Sequence, residues 1–161
     1  MVDEAELMLE HPNPLFDAVL AFAEEKGLDG VRQGTDTMLK FEGDGTNGSW
    51  FLFISTDERE LRCSVHSMAP FFVDEERRAD VMELFTRINN DIVIGNFDLD
   101  LDDGQAAFRT SIGVEGSRLS NEQIAQLVAV NVTAYNMYLP AFEAVIEGSA
   151  PPLAAFMAVS V

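Results

Sequence analysis

The sequence predicts an α+β fold, an antiparallel β-sheet of about five strands with helices packed on one face. Two groups of segments alternate polar with apolar residues and are joined internally by turn-length connections, as antiparallel neighbours are. Three other segments carry apolar residues at helical spacing. Taken in order, the elements read α-β-β-β-α-β-β-α.

Residues 1–12 are acidic and irregular, and they are expected to stand apart from a single domain over 13–147. Asn13-Pro14 makes a helix start, with Asn as cap and Pro preset for the first helical position. Leu15, Val19, Phe22 and Ala23 fall on one face of that helix, and Gly27 stops it. Thr35, Thr37, Leu39 and Phe41 then alternate with Asp36, Met38, Lys40 and Glu42, which reads as a half-buried strand. A glycine-rich loop from Gly43 to Gly48 turns the chain into an aromatic, β-branched strand from Ser49 to Thr56. That strand is expected to be buried on both faces or nearly so. After a turn at Asp57-Glu58-Arg59, Leu61, Cys63 and Val65 alternate with Arg62, Ser64 and His66, completing a three-stranded meander that Pro70 closes.

Asp74 is placed to cap a second helix, with Glu75 and Glu76 at its positive end and Val81, Phe85, Ile88 and Ile92 as its inner stripe. Phe97, Leu99 and Leu101 alternate with Asp98, Asp100 and Asp102, and Asp103-Gly104 signals a hairpin into a strand over about Ala106 to Val114. Ser120 and Gln123 have capping-box spacing, with Leu119 and Ile124 able to staple across the start of the third helix. Leu127, Val128, Asn131, Tyr135 and Tyr138 line one side of it. Pro140 is expected to kink or interrupt it. A Gly/Pro break and a short apolar tail occupy 148–161, with one or two helical turns predicted over Leu153 to Val159.

Charge narrows the function. Asp and Glu number 28 against 10 Lys and Arg, a net charge of −18. Such a chain lacks the basic stripe that tracks phosphates, so nucleic acid is excluded as a partner, and so is an anionic membrane surface. With 47% apolar residues and 12 Phe, it is not an acidic disordered chain either. One cysteine, Cys63, allows no internal disulfide and fits a reducing compartment. No stretch approaches the ~20 apolar residues of a membrane helix, and no basic region leads into an apolar one near the start. A cytoplasmic location is the expectation.

Motifs that suggest chemistry do not survive their context. Gly43, Gly45 and Gly48 spell G-x-G-x-x-G, but the dinucleotide version opens a helix and this one opens a strand. Asp98, Asp100 and Asp102 resemble the start of a calcium loop, yet the sixth position is Asp103 rather than Gly and the twelfth is Arg109 rather than Glu. Cys63 and His66 lie three apart and so point to opposite faces of a strand. No nucleophile stands beside a local base. The expectation is no metal, no cofactor and no catalytic residue.

Two groups of residues remain as candidate sites. Asn89, Asn131 and Tyr135 are polar positions on or beside apolar helix stripes. They either tie helix to sheet through satisfied hydrogen bonds or line a pocket or peptide contact between the two. Trp50, Phe51 and Phe53 supply a large aromatic surface at mid-sheet. If helices cover only one face, that surface needs a second copy or another partner.

The segment Leu84 to Gly104 carries a resemblance, with Asn89, Gly95, Phe97, Asp100 and Gly104 as key positions. Phe108-Arg109-Thr110, Tyr138-Leu139-Pro140-Ala141 and Val145-Ile146-Glu147-Gly148 extend it, and Leu15-Phe16 and Trp50-Phe51 fit more loosely. Over about residues 15–159 the chain resembles the YbjN-like family, described as regulators of bacterial sensory transduction. The resemblance implies a type III secretion chaperone-like fold, homodimers and protein-binding roles, and it brings no catalytic or cofactor residues. The resulting expectation is a non-enzymatic, homodimeric protein-binding module with a chaperone-like or regulatory role. The alternative is a small-ligand sensor or enzyme with a pocket between helix and sheet.

Overall fold

The computed structural model describes residues 13–114 and 118–160; the acidic segment 1–12 lies outside the described residues. Helix α1 (Pro14–Glu25) precedes a six-stranded, wholly antiparallel sheet: β1 (Val31–Arg32), β2 (Met38–Gly45), β3 (Gly48–Asp57), β4 (Arg62–Phe72), β5 (Asn96–Leu99) and β6 (Gln105–Gly113). Their spatial order is β1-β2-β3-β4-β6-β5. Helix α2 (Glu75–Asp91) links the meander to the second hairpin, and α3 (Asn121–Glu147) and α4 (Pro152–Val159) follow. The sheet has one strand more than the predicted five, because the two-residue β1 is too short to show a period.

Alternation places the core. On β3, Trp50, Leu52, Ile54 and Thr56 are buried while Phe51, Phe53 and Ser55 are half-exposed. This corrects the expectation of a strand buried on both faces. Leu39 and Phe41 of β2, Cys63 and Val65 of β4, and Ala106 and Phe108 of β6 share the inner face with Trp50. Two apolar clusters form there. One gathers α1, the meander and the start of α3 around Phe16, Ile54 and Val65. The other gathers α2, the end of α3 and α4 around Phe97, Phe108 and Phe142. In the second, the Phe97 ring lies 4.7 Å from Phe85, 4.8 Å from Phe108 and 6.0 Å from Tyr138, centroid to centroid, within the range of favourable aromatic pairs. The apolar tail is α4, which buries Ala155 in this same cluster.

The helix starts differ in how they are satisfied. Ser120 and Gln123 form the full capping box, each side chain accepting from the other's backbone N–H. Asn13 and Asp74 stand at the expected cap positions, but their side chains accept no capping bond. The first N–H groups of α1 are taken by Glu58 of the β3–β4 turn, which accepts from Leu15 at 3.2 Å and Phe16 at 2.9 Å. A carboxylate is favoured there by the helix dipole.

Pro140 does not interrupt α3, which runs unbroken through it. Proline cannot donate to the Asn136 carbonyl one turn back. That carbonyl instead accepts from Asn47 Nδ2 at 2.8 Å, from the turn between β2 and β3. Asn136 also accepts from Asn47 N–H at 3.0 Å and donates to Thr46 Oγ1 at 3.1 Å, so the hairpin tip is tied to the helix at its proline. The three spaced glycines belong to this docking. A side chain at Gly43, Gly45 or Gly48 would collide with Trp50, Asn136 or Leu139 respectively.

Candidate functional site

All helix-packed residues of the sheet come from its inner face, and no described helix covers the outer one. Strand register lays out that outer face row by row. One row reads Glu42, Phe51, Met68, Ala107, Asp98. The next reads Lys40, Phe53, His66, Arg109, Asn96. The third reads Met38, Ser55, Ser64, Ser111, and beyond it Asp57 pairs with Arg62.

The β2–β3 half of this face is aromatic. Phe51 and Phe53 alternate along β3, half-exposed. Lys40 lies over both, its Nζ 3.9 Å from the Phe51 centroid and 5.9 Å from that of Phe53, where the ring quadrupoles attract it. Met68 stands opposite Phe51. The β4–β6 half is polar. A hollow of about 570 Å³ is lined by Ser55, Thr56, Asp57, Arg62, Ser64, His66, Asn96, Arg109 and Ser111. Arg109 reaches Asp98 at 3.4 Å and Arg62 reaches Asp57 at 3.5 Å, both as partly exposed pairs. Burial lowers the pKa of His66 and the neighbouring Arg109 lowers it further, against a smaller opposing pull from Asp98.

The structure separates the sequence-predicted residues. Trp50 does not share a face with Phe51 and Phe53. Its indole lies under α3, 4.9 Å from the Tyr135 ring, and is 2% exposed. The period of two makes this unavoidable for adjacent residues, so the aromatic surface at mid-sheet is divided between two faces.

Asn89, Asn131 and Tyr135 are not brought together in one cavity. Asn89 sits on α2 beside the edge strand β5. Its Oδ1 accepts from Phe97 N–H at 2.7 Å and its Nδ2 donates to Phe97 C=O at 3.0 Å. The side-chain amide thus occupies the outward backbone groups of Phe97, the groups an added strand would use. Asn131 is fully buried. It accepts from Ser67 Oγ at 2.6 Å and donates from Nδ2 to Val65 C=O at 2.9 Å and Phe108 C=O at 3.0 Å. It joins α3 to the adjacent strands β4 and β6. Tyr135 is buried with its hydroxyl unpartnered, as is the Trp50 indole N–H. Burial, with Glu143 nearby, pushes the Tyr135 phenol pKa upward. Cys63 is wholly buried on the inner face, and burial pushes its thiol up to about 12, which leaves it unreactive at neutral pH.

Sequence reasoning missed the polar hollow. Its signal was present as alternation, since Ser55, Ser64, His66, Arg109 and Ser111 all occupy outward positions. Only the register shows that they adjoin.

Among the described residues, no group of three or more His, Cys, Asp or Glu is arranged to hold a metal ion, and no helix is long and apolar enough to cross a membrane.

The molecule is therefore an α+β protein with an antiparallel sheet whose described helices all pack on the inner face, leaving the outer face, of mixed aromatic and cationic character, without a described helix over it. The chain belongs to the YbjN family, described as "Putative bacterial sensory transduction regulator", whose model matches residues 16–144. Its fold is similar to that of YbjN, "a putative transcription regulator from E. coli", with a TM-score of 0.59 and 14% identity over 83% of this chain and 90% of that one. It is also similar to a chain of the HopA1-SchA chaperone-effector complex, with a TM-score of 0.49 and 17% identity over 84% of this chain and 95% of that one. A chain of the ExsC-ExsE complex gives a TM-score of 0.48 and 14% identity over 75% of this chain and 86% of that one. No curated protein matches the sequence significantly.

Proposed function

We propose that the protein is a non-enzymatic binding module of regulatory or chaperone-like role, and that it engages a polypeptide segment on the outer face of its sheet. The observation that carries this reading is the pair Phe51 and Phe53, side by side on a sheet face with no described helix over it. Uncovered aromatic side chains on a rigid sheet are the kind of anchor that dominates protein interfaces. Face-on contact is favoured over strand addition at the β5 edge, because Asn89 already occupies the Phe97 backbone there. A homodimer through the same face is part of the proposal, with the partner segment and the second copy competing for Phe51 and Phe53. Its place of action would be the cytoplasm.

The test is affinity capture from native cytosol with the wild type and a Phe51→Ser/Phe53→Ser variant, alongside light scattering of both at high micromolar concentration. The proposal expects a near-stoichiometric partner on the wild type that the variant loses, and a dimeric mass that falls to the monomer in the variant. A partner retained equally by the variant, or a wild type that is strictly monomeric, contradicts the corresponding half.

A further inference from the structure

The polar half of the outer face has the make-up of a binding site in its own right. Ser55, Ser64 and Ser111 are direct cross-strand neighbours on three adjacent strands, so three short side chains form a continuous floor. Among the described residues, none makes a side-chain hydrogen bond to these three hydroxyls. Longer side chains wall the floor on both sides along the strands, with His66 and Arg109 in the row on one side and Arg62 on the other. The hollow exists because serines lie between arginines.

The composition of that wall opposes the rest of the molecule. The chain carries −18 overall and has only 10 Lys and Arg. Two of those arginines, together with one of the two histidines, converge on one hollow, where Asp57 is the only carboxylate among the described lining residues. The ion pairs that occupy the arginines are long and partly exposed, at 3.4 and 3.5 Å. Pairs of that kind hold little free energy, so an incoming anion can displace them. Each planar guanidinium keeps further N–H donors in the fork that suits a tetrahedral oxyanion.

We propose that this hollow is a recognition site for a phosphate-type oxyanion, with Arg62 and Arg109 as charged clamps and Ser55, Ser64 and Ser111 as neutral donors beneath it. The lining is almost wholly polar, which selects a charged group over an apolar ligand. The oxyanion comes either from a small phosphorylated molecule or from a phosphorylated side chain of a polypeptide lying on Phe51 and Phe53. The site does not depend on the protein-binding reading, since a free anion suffices to fill it.

His66 makes the site responsive to pH. In its row it faces Phe53 on β3 and, beyond that, Lys40 on β2, and on the other side Arg109 on β6 and, beyond that, Asn96 on β5. Asp98, one row away on β5, pairs with Arg109, while Arg62 and Asp57 lie further along the hollow. Arg109 disfavours its protonation, and a bound dianion opposes Arg109 and favours it. By linkage, anion affinity then rises as pH falls through the His66 titration.

Labelled protein titrated with inorganic sulfate, a dianion throughout this range, tests the site by NMR against a chloride control of equal ionic strength. The expected result is saturable shifts at Ser55, Ser64, His66, Arg109 and Ser111. An Arg62→Gln/Arg109→Gln variant is expected to bind at least about tenfold more weakly. Tighter binding at pH 5.5 than at 7.5 is expected in the wild type and not in His66→Gln. Shifts spread evenly over the other arginines, or unchanged in the double variant, would overturn the proposal, as would no shift at tens of millimolar sulfate. Inorganic phosphate and a phosphoserine peptide flanked by leucines then separate the sources. A peptide that gains affinity over phosphate, and loses the gain in Phe53→Ser, identifies the polypeptide source. Equal affinities identify the small molecule.

Discussion

The two faces of one sheet follow the same alternation to opposite ends. Along β3, Trp50, Leu52 and Ile54 vanish under helices, while Phe51, Phe53 and Ser55 stay half-exposed one residue away. On the inner face the Asn131 amide is locked by bonds to Ser67, Val65 and Phe108, while the Tyr135 hydroxyl and the Trp50 indole N–H are buried without a partner among the described residues. On the outer face the ion pairs are long, the Ser55, Ser64 and Ser111 hydroxyls make no side-chain hydrogen bond among the described residues, and Lys40 lies over the Phe51 and Phe53 rings. The inner face accounts for stability, and the outer face is where side chains remain available for contact.

The comparison predicts graded effects. Phe97→Ala, at the centre of the inner aromatic cluster, should cost about 4 kcal/mol in denaturant unfolding, as large-to-small core changes do. Asn131→Ala should cost about 3 kcal/mol, because it strands the Ser67 hydroxyl and two strand carbonyls away from water. If either change proves mild, the inner face is not the locked one. The outer-face variant Phe51→Ser/Phe53→Ser should cost roughly 1 kcal/mol per site, the scale of cross-strand pair contributions, while lowering partner affinity more than tenfold.

A pH series divides the faces again. His66 on the outer face has its folded pKa below its unfolded value of about 6.5, so the unfolded state binds the proton first. Its contribution to stability is therefore complete above pH 6.5 and is lost as pH falls from there toward the folded pKa. His66→Gln should flatten that part of the stability profile. Cys63 on the inner face behaves oppositely. Its raised pKa makes stability fall once pH rises above about 9, and a thiol reagent should label it only at the rate of unfolding. The smallest effect is expected from Tyr135→Phe, which removes a buried hydroxyl without a partner and should leave stability within about 0.5 kcal/mol or raise it.

Much of this fold is legible in the chain because local chemistry agrees with the packing. The Ser120/Gln123 box and the stripes of the long helices form where their patterns place them, except that Ile92 follows α2 in extended conformation. The second hairpin forms with β5 ending at Leu99, so that Leu101 lies exposed in the turn. What escapes is set by residues far apart in sequence. The interruption expected at Pro140 is absent because Asn47, 89 residues away from Asn136, takes the carbonyl that proline leaves free. The glycine spacing that resembles a nucleotide loop makes room for Trp50 and α3. Of the candidate residues, Asn89 and Asn131 stand where helix meets sheet, as their stripes implied. The grouping of Trp50 with Phe51 and Phe53 needed only the strand period to be divided correctly. The serine and arginine hollow could not be read without register.

The proposed contact lies on the outer sheet face rather than at whichever apolar residue is most exposed. Val93, in the loop after α2, is 97% exposed and is the natural rival. A photo-crosslinking amino acid placed at position 53 in one variant and at position 93 in another tests this directly in native cytosol. The expected result is a discrete polypeptide adduct from position 53 that exceeds anything from position 93. Equal or stronger crosslinking from position 93 would contradict it.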